Sequence, residues 1–346
     1  GYMDFPVSTM LPILCRKFNV RSPSLESLLK CEHKYWSRVV QREVIPEYIP
    51  KFTAFDPFDD EALRKIGQAD LAFPFFVKPI KSSGSRLGFR IDNPEDFDYA
   101  VEKLRAEIGS ISEPFNFVLD QADLPDEIRE IDGRYCMAEQ MIGGRQCTLE
   151  GYSFEGEVVP YGIVDSIRYP QVLSFFYYMH PSRLPEKIQN KMRELTKTLI
   201  PHIGFDNSGF NIEFFWDEVQ DRIWLLEINT RIAQAHCDLF EMVDGVSHQQ
   251  VAVDIGLGRK PDMPRSEGTQ RCLRFKISTS PGATVSSYHD CYGNTVHNFD
   301  IPAQHRQLTI TAEATGRTLW AESDVNAAAI RAPRQPTHTT AGVAAL

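Results

Sequence analysis

Gly209-Phe210-Asn211-Ile212-Glu213-Phe214-Phe215 and, beyond a polar turn, Trp224-Leu225-Leu226-Glu227-Ile228-Asn229-Thr230-Arg231 are the two runs on which the reading of this chain turns. Each is apolar around a single carboxylate, and the two read as paired strands around Asp217–Asp221. Positions 227 and 229 share parity, so in one hairpin both carboxylates and the Asn229 amide project from the same face. Two carboxylates that close repel each other unless a cation lies between them. Oxygen-only ligands suit Mg²⁺ or Mn²⁺, hard ions commonly shared between carboxylates and nucleotide phosphates. Solvated glutamates on an open hairpin face are the plain alternative, and the Asn and Arg that follow Glu227 weigh against it.

Working outward, Phe73-Pro74-Phe75-Phe76-Val77-Lys78-Pro79 is a short apolar run closed by Pro, a buried strand ending in Lys78. Ser82-Ser83-Gly84-Ser85-Arg86-Leu87-Gly88 follows, a small-residue loop whose backbone N–H groups can approach anions. Asn93-Pro94-Glu95-Asp96 opens a helix to about Arg105, with Phe97, Val101 and Leu104 on one face. Ser22-Pro23-Ser24-Leu25 starts another that runs, with a break near Cys31, to Glu43, before an extended link at 45–50. Residues 109–133 read as an acidic loop, Tyr135–Ile142 as a strand stopped by Gly143-Gly144, 146–164 as a hairpin turning at Glu155-Gly156, and 184–200 as a helix. Residues 271–310 are strand-like with turns at Pro281-Gly282 and Tyr292-Gly293-Asn294; the Ala-, Thr- and Pro-rich 321–346 has little periodicity.

These ordered motifs resemble the ATP-grasp superfamily, in which nucleotide lies between two α+β lobes, over about residues 1–300. Leu226–Arg231 is similar to its Glu-x-Asn-x-Arg segment, Val77-Lys78-Pro79 to its phosphate-binding lysine strand, and Glu139-Gln140-Met141-Ile142 to its adenine hinge. The resemblance implies a mixed α/β (α+β) fold with residues 1–50 as the end of a preceding α/β domain, 51–142 as the small lobe, and 143–262 as the large lobe with the metal site. Residues 263–320 would be a small antiparallel β appendage, and 321–346 a poorly ordered tail.

The resemblance also implies roles. ATP would meet Lys34 and Lys78 at its phosphates under Ser82, Ser83, Gly84 and Ser85, with Mg²⁺ or Mn²⁺ on Glu213, Glu227 and Asn229. Its adenine would lie on Glu139, Gln140, Met141 and Ile142 between Phe76, Phe215 and Leu226, and Gln146 would stand where the superfamily often places an acidic residue for the ribose. Arg231, with Lys78 the catalytic pair, would hold a carboxylate and then an acyl phosphate. The implied activity is an ATP-dependent ligase, similar to the L-amino acid ligases, joining a small carboxylate to an amine. Biotin-carboxylase-like carboxylation is the first alternative, but the glutamate expected as its base is Ala235 here, and a methyl group takes no proton. A nucleotide-binding or regulatory protein that has lost turnover is the second. His236 reads as a substrate-pocket or structural residue.

Composition sets the outer bounds. The chain has 346 residues, 42% hydrophobic and 24% charged, which excludes wholesale disorder, and its net charge of −10 argues against a nucleic-acid partner. Seven cysteines without a CxxC pair fit a reducing, cytoplasmic setting rather than a disulfide framework. No apolar stretch approaches the ~20 residues of a membrane span. A homo-oligomer is compatible with all of this.

Overall fold

The computed structural model describes residues 3–82, 84, 86–168 and 175–263, together with the strands at 269–280, 285–289, 295–299 and 309–319. Three helices come first: α1 (Val7–Phe18), α2 (Leu25–Glu32) and α3 (Lys34–Val44). Ser24 caps α2 by accepting the Ser27 N–H at 3.1 Å, and the expected break falls at His33, whose Nδ1 accepts the Trp36 N–H at 3.1 Å and so starts α3. The link at 45–50 is less extended than the sequence suggests, because Pro46–Tyr48 form a single 3₁₀ turn.

The small lobe consists of β1 (Phe52–Phe55), α4 (Ala62–Gln68), β2 (Phe75–Pro79), β3 (Phe89–Ile91), α5 (Pro94–Glu107), α6 (Gly109–Leu119), α7 (Asp126–Arg129) and β4 (Cys136–Gln140). Its sheet runs β1-β4-β2-β3, antiparallel throughout. Alternation sorts the two faces: Phe75, Val77, Cys136 and Ala138 bury against Ile66, Phe97, Ala100 and Leu104 of α4 and α5, which leaves Phe76, Lys78, Met137 and Glu139 on the other face. Residues 109–133 are not the loop expected from their acidity. Ser112, Phe115, Val118 and Leu119 make one buried side of α6, and Phe115 and Ile128 join the main core, so apolar burial outweighs a polar composition.

The large lobe has β5 (Arg145–Phe154), β6 (Glu157–Arg168), β7 (Phe175–Met179), α8 (Glu186–Ile203), β8 (Ser208–Asp217), β9 (Arg222–Asn229), α9 (Cys237–Asp244) and α10 (His248–Gly256). Its sheet order is β7-β6-β5-β8-β9. The β5–β6 turn falls at the expected place, with Glu155 at φ 51° and Gly156 at φ 80°, as a two-residue hairpin requires. Cys147, Leu149, Ile212, Phe214 and Leu225 pack one face onto Met192, Leu195 and Leu199 of α8. The opposite face carries Gln146, Thr148, Glu150, Asn211, Glu213, Glu227 and Asn229.

Gly144 joins the lobes. It has φ 122°, and a Cβ there would stand 2.3 Å from the Trp216 carbonyl oxygen, so only glycine lets β5 enter its sheet at this point. Farther along the chain, β10 (Thr269–Ser280) pairs antiparallel with β13 (Thr309–Leu319), and β11 (Val285–His289) with β12 (Thr295–Phe299). The turns expected at Pro281-Gly282 and at 292–294, and the tail at 321–346, lie outside the described residues. Among the described residues no helix is long and apolar enough to cross a membrane, and Cys15, Cys31, Cys136, Cys147 and Cys237 are buried free thiols.

Candidate active site

The polar faces of the two lobes meet at α3. Lys34, in its first turn, reaches Glu227 Oε2 with Nζ at 3.2 Å, while its backbone N–H donates to the Ile80 carbonyl at 3.1 Å. Lys78 places Nζ 2.5 Å from Glu139 Oε2. Between them Arg38, only 2% exposed, donates from Nε to Glu139 Oε1 at 2.6 Å and from its two terminal nitrogens to the Leu225 and Leu226 carbonyls at 3.1 and 2.7 Å. One guanidinium thus ties α3 to a strand of each lobe. Burial disfavours the charge on Glu139, but Arg38 and then Lys78 hold its pKa down to about 2. Burial pulls the Lys78 ammonium below its ordinary value, with Glu139 opposing and Lys34 and Arg38 adding to the fall.

Glu213 and Glu227 lie directly opposite each other on β8 and β9. Asn229 donates through Nδ2 to Glu213 Oε1 at 3.2 Å and to Asn211 Oδ1 at 2.9 Å, and Gln146 donates to Glu213 Oε2 at 2.8 Å. Burial, then repulsion from Glu227, raises Glu213 to about 7; Glu227, although burial resists its charge, is held to about 2 by Lys34, then Lys78 and Arg231. Two facing carboxylates with pKa values driven apart describe a site short of positive charge. The oxygens of Glu213, Glu227 and Asn229 fit a hard divalent cation. Among the described residues no group of three or more His, Cys, Asp or Glu side chains could hold an ion, so phosphate oxygens would have to complete the shell.

Arg231 is held in a fork by Asp4, Nε to Oδ1 at 2.7 Å and Nη2 to Oδ2 at 3.1 Å. Asp4, Lys34, Lys78, Ser82, Gly84, Leu226, Glu227, Asn229 and Arg231 line one cavity. A second buried tie crosses it: Glu32 pairs with Lys81 and accepts the Thr230 hydroxyl at 2.7 Å.

The structure therefore brings Lys34, Lys78, Glu213, Glu227, Asn229 and Arg231 into and beside one cavity, and engages Glu139, Gln140 and Gln146 in contacts of their own. The Glu139 carboxylate is paired with Arg38 and Lys78. Gln140 is still within the sheet, its N–H donating to the Lys51 carbonyl at 2.9 Å, so only Met141 and Ile142 lie past the strand end. The Gln146 amide nitrogen holds Glu213, and its oxygen accepts from Arg168 Nε at 2.7 Å. Phe76, Met141, Ile142, Phe215 and Leu226 are half-buried, and of these Leu226 lines the polar cavity. Ser83 and Ser85 lie outside the described residues.

Sequence reasoning passed over Arg38, Lys81 and Asp4. Arg38 stood four residues after Lys34, hence on the same helical face, and that spacing could have found it. Asp4, more than two hundred residues from Arg231, left no such trace.

Residues 71–238 match the ATP-grasp domain model, and residues 262–316 match a different one, the bacterial transglutaminase-like N-terminal region. Two different family models thus match within the span over which the sequence resembles the ATP-grasp superfamily or just beyond it. The chain is 27% identical over 174 residues to a D-alanine--D-alanine ligase of Acinetobacter baylyi, covering 47% of this chain and 46% of that protein. It spans between a tenth and about half of the length of the curated relatives it matches. Among solved structures, a biotin carboxylase from Campylobacter jejuni in a β,γ-ATP complex superposes with TM-score 0.59 at 18% identity, covering 93% of this chain and 70% of that one. An L-amino acid ligase from Bacillus licheniformis superposes with TM-score 0.55 at 15% identity, covering 78% and 62%. The folds agree, the family model spans both lobes from β2 to the first residues of α9, and residues 71–238 of this chain are an ATP-grasp domain.

Proposed function

We propose that this chain is an ATP-dependent ligase that activates a small carboxylate as an acyl phosphate and joins it to an amine. The observation that carries the reading is Arg231: its guanidinium already takes a carboxylate, that of Asp4, in a two-point fork, two residues from Asn229 and in the cavity that holds Lys34, Lys78 and Glu227. A substrate carboxylate in the place of Asp4 would sit beside the groups suited to a nucleotide's phosphates.

In this reading Lys34 and Lys78 leave Glu227 and Glu139 to neutralise the phosphates, and Ser82 and Gly84 line the same cavity beside them. A divalent cation on Glu213, Glu227 and Asn229 would supply the charge that this carboxylate pair lacks. The substrate carboxylate attacks the γ-phosphorus, ADP departs, and Arg231 holds the acyl phosphate. An amine then attacks its carbonyl carbon and phosphate leaves. The steps need orientation and charge, not a protein nucleophile.

The experiment is a phosphate-release screen of pairs of amino acids and related acids with Mg·ATP, with products identified by mass. A product with the mass of acid plus amine less water supports the reading. Nucleotide binding without turnover for any pair would oppose it, and ADP release dependent on bicarbonate would point to carboxylation.

A further inference from the structure

Beneath the carboxylate fork lies a second constellation. Along one face of β5, Gln146 touches Glu213, and four residues later Glu150 holds His236. Glu150 Oε1 and His236 Nδ1 are 2.8 Å apart, with side chains 0% and 3% exposed. The other carboxylate oxygen, Oε2, is buried without a hydrogen-bond partner, 3.9 Å from His248 Nδ1. His248 Nδ1 is itself 2.8 Å from the Tyr161 hydroxyl. Burial keeps His248 neutral, its pKa lowered to about 4 against the pull of Glu150. Among the described residues, the group hydrogen-bonded to this buried carboxylate is the His236 imidazole.

The pair adjoins the acyl end of the cleft. Glu150 lies opposite Asn211 across β5 and β8, and the Asn211 amide donates to the Arg231 carbonyl at 2.9 Å and accepts from Asn229 Nδ2 at 2.9 Å. The Tyr178 ring meets the His236 ring at 4.6 Å and 73°, and Tyr178 also feels Glu213, Arg168 and Arg231. A polar pair buried for packing alone would be a costly choice; one placed next to the fork that holds the acyl group has a use there.

We infer that His236, held from behind by Glu150, is the base that takes a proton from the ammonium group of the amine substrate. The inference rests on the ligase reading above. With Nδ1–H donated to Glu150, Nε2 carries the lone pair. Nε2 takes a proton from the substrate ammonium and frees its lone pair; as that nitrogen bonds to the acyl carbon, the C–O bond to phosphate breaks, phosphate leaves with the electron pair, and the second N–H proton goes to the departing phosphate. The resulting imidazolium is balanced by Glu150. The titratable groups around the imidazole are Glu150 from β5, Tyr178 from β7 and His248 from α10, with Tyr161 behind His248 and Arg231 beyond Glu150. Glu150 acts through His236 and is a positioning residue.

The test compares two nucleophiles on the full chain with Mg·ATP and an acid that the wild type turns over. Hydroxylamine is already unprotonated at neutral pH and needs no base, whereas an amino acid's ammonium does. His236→Gln is expected to keep hydroxamate formation within a few-fold while amide formation falls about 100-fold, the usual scale of a lost general base. The amide rate of the variant should then climb with pH as the amine loses its proton to solvent. Glu150→Gln keeps the imidazole and removes the charge behind it, so the acid limb of the amide pH profile should move to lower pH. Equal loss of hydroxamate and amide by His236→Gln, in protein that melts and binds Mg·ATP as the wild type does, would show a structural role and overturn the inference. So would unchanged amide formation, or an unmoved limb in Glu150→Gln should His236→Gln fail to fold. A wild type that forms no hydroxamate overturns the ligase reading and the inference with it.

Discussion

Replacing Arg38 with Met removes the cation that ties α3 to β4 and β9 while keeping most of the side-chain volume. Glu139 then keeps only Lys78, and the Leu225 and Leu226 carbonyls lose their donors. Breaking one side of a buried ion pair costs about 3–5 kcal/mol. The titration of Glu139 gives the same scale, since lowering a glutamate from its ordinary value to about 2 corresponds to about 3 kcal/mol at neutral pH. For an ordered region of this size, about 2–4 °C per kcal/mol, a fall of roughly 6–20 °C in melting temperature follows. The sign with pH is fixed too. The folded pKa is depressed, so the stabilisation is full above the ordinary glutamate range and fades as pH falls toward the folded value; Arg38→Met should flatten that acid limb. Thermal and urea melts from pH 3 to 8 are the assay, with Glu139→Gln and the double variant closing a cycle whose coupling should reach about 2 kcal/mol. A variant melting within about 2 °C of the wild type, or two changes that simply add, would refute the argument that this guanidinium holds the lobes together.

Three other outcomes follow from the same geometry. Glu213→Gln removes the repulsion across β8 and β9, so without divalent metal it should melt above the wild type and show less than the rise in melting temperature expected of the wild type with Mg·ADP; melts with Mg·ADP and with chelator decide this. Gly144→Ala must both hold φ near 122° and relieve a Cβ at 2.3 Å from the Trp216 carbonyl oxygen, and should cost more than about 2 kcal/mol in a urea melt or fail to give soluble protein. Asp4→Asn frees the Arg231 fork from a competing charge and should lower the KM for the carboxylate substrate a few-fold with little change in the KM for ATP, measured by phosphate release.

How far the sequence carried the reading differs from one element to the next. The hairpin of Glu213 and Glu227, the capped starts at Ser24 and Asn93, and the turn at Glu155-Gly156 were legible because each is decided within a few residues by alternation, a cap or a positive φ. The helix α6 was missed because its burial depends on what packs against it, Phe115 meeting Phe5 and the main core from outside the segment. Gln146 and Glu139 were assigned to the nucleoside by position in a motif. Only the fold shows that neighbouring strands spend Gln146 on Glu213 and Glu139 on Lys78.

By itself, then, the sequence determined what local chemistry can determine: two lobes of mixed helix and strand, a carboxylate pair backed by Asn and Arg, and a lysine at the end of an apolar strand. The tertiary structure decided the partnerships. Arg38 found Glu139, Asp4 found Arg231, and Glu150 found His236 across 101, 227 and 86 residues of chain. A buried charge must be met by whatever the packing brings within about 3 Å, and sequence spacing holds no record of that distance.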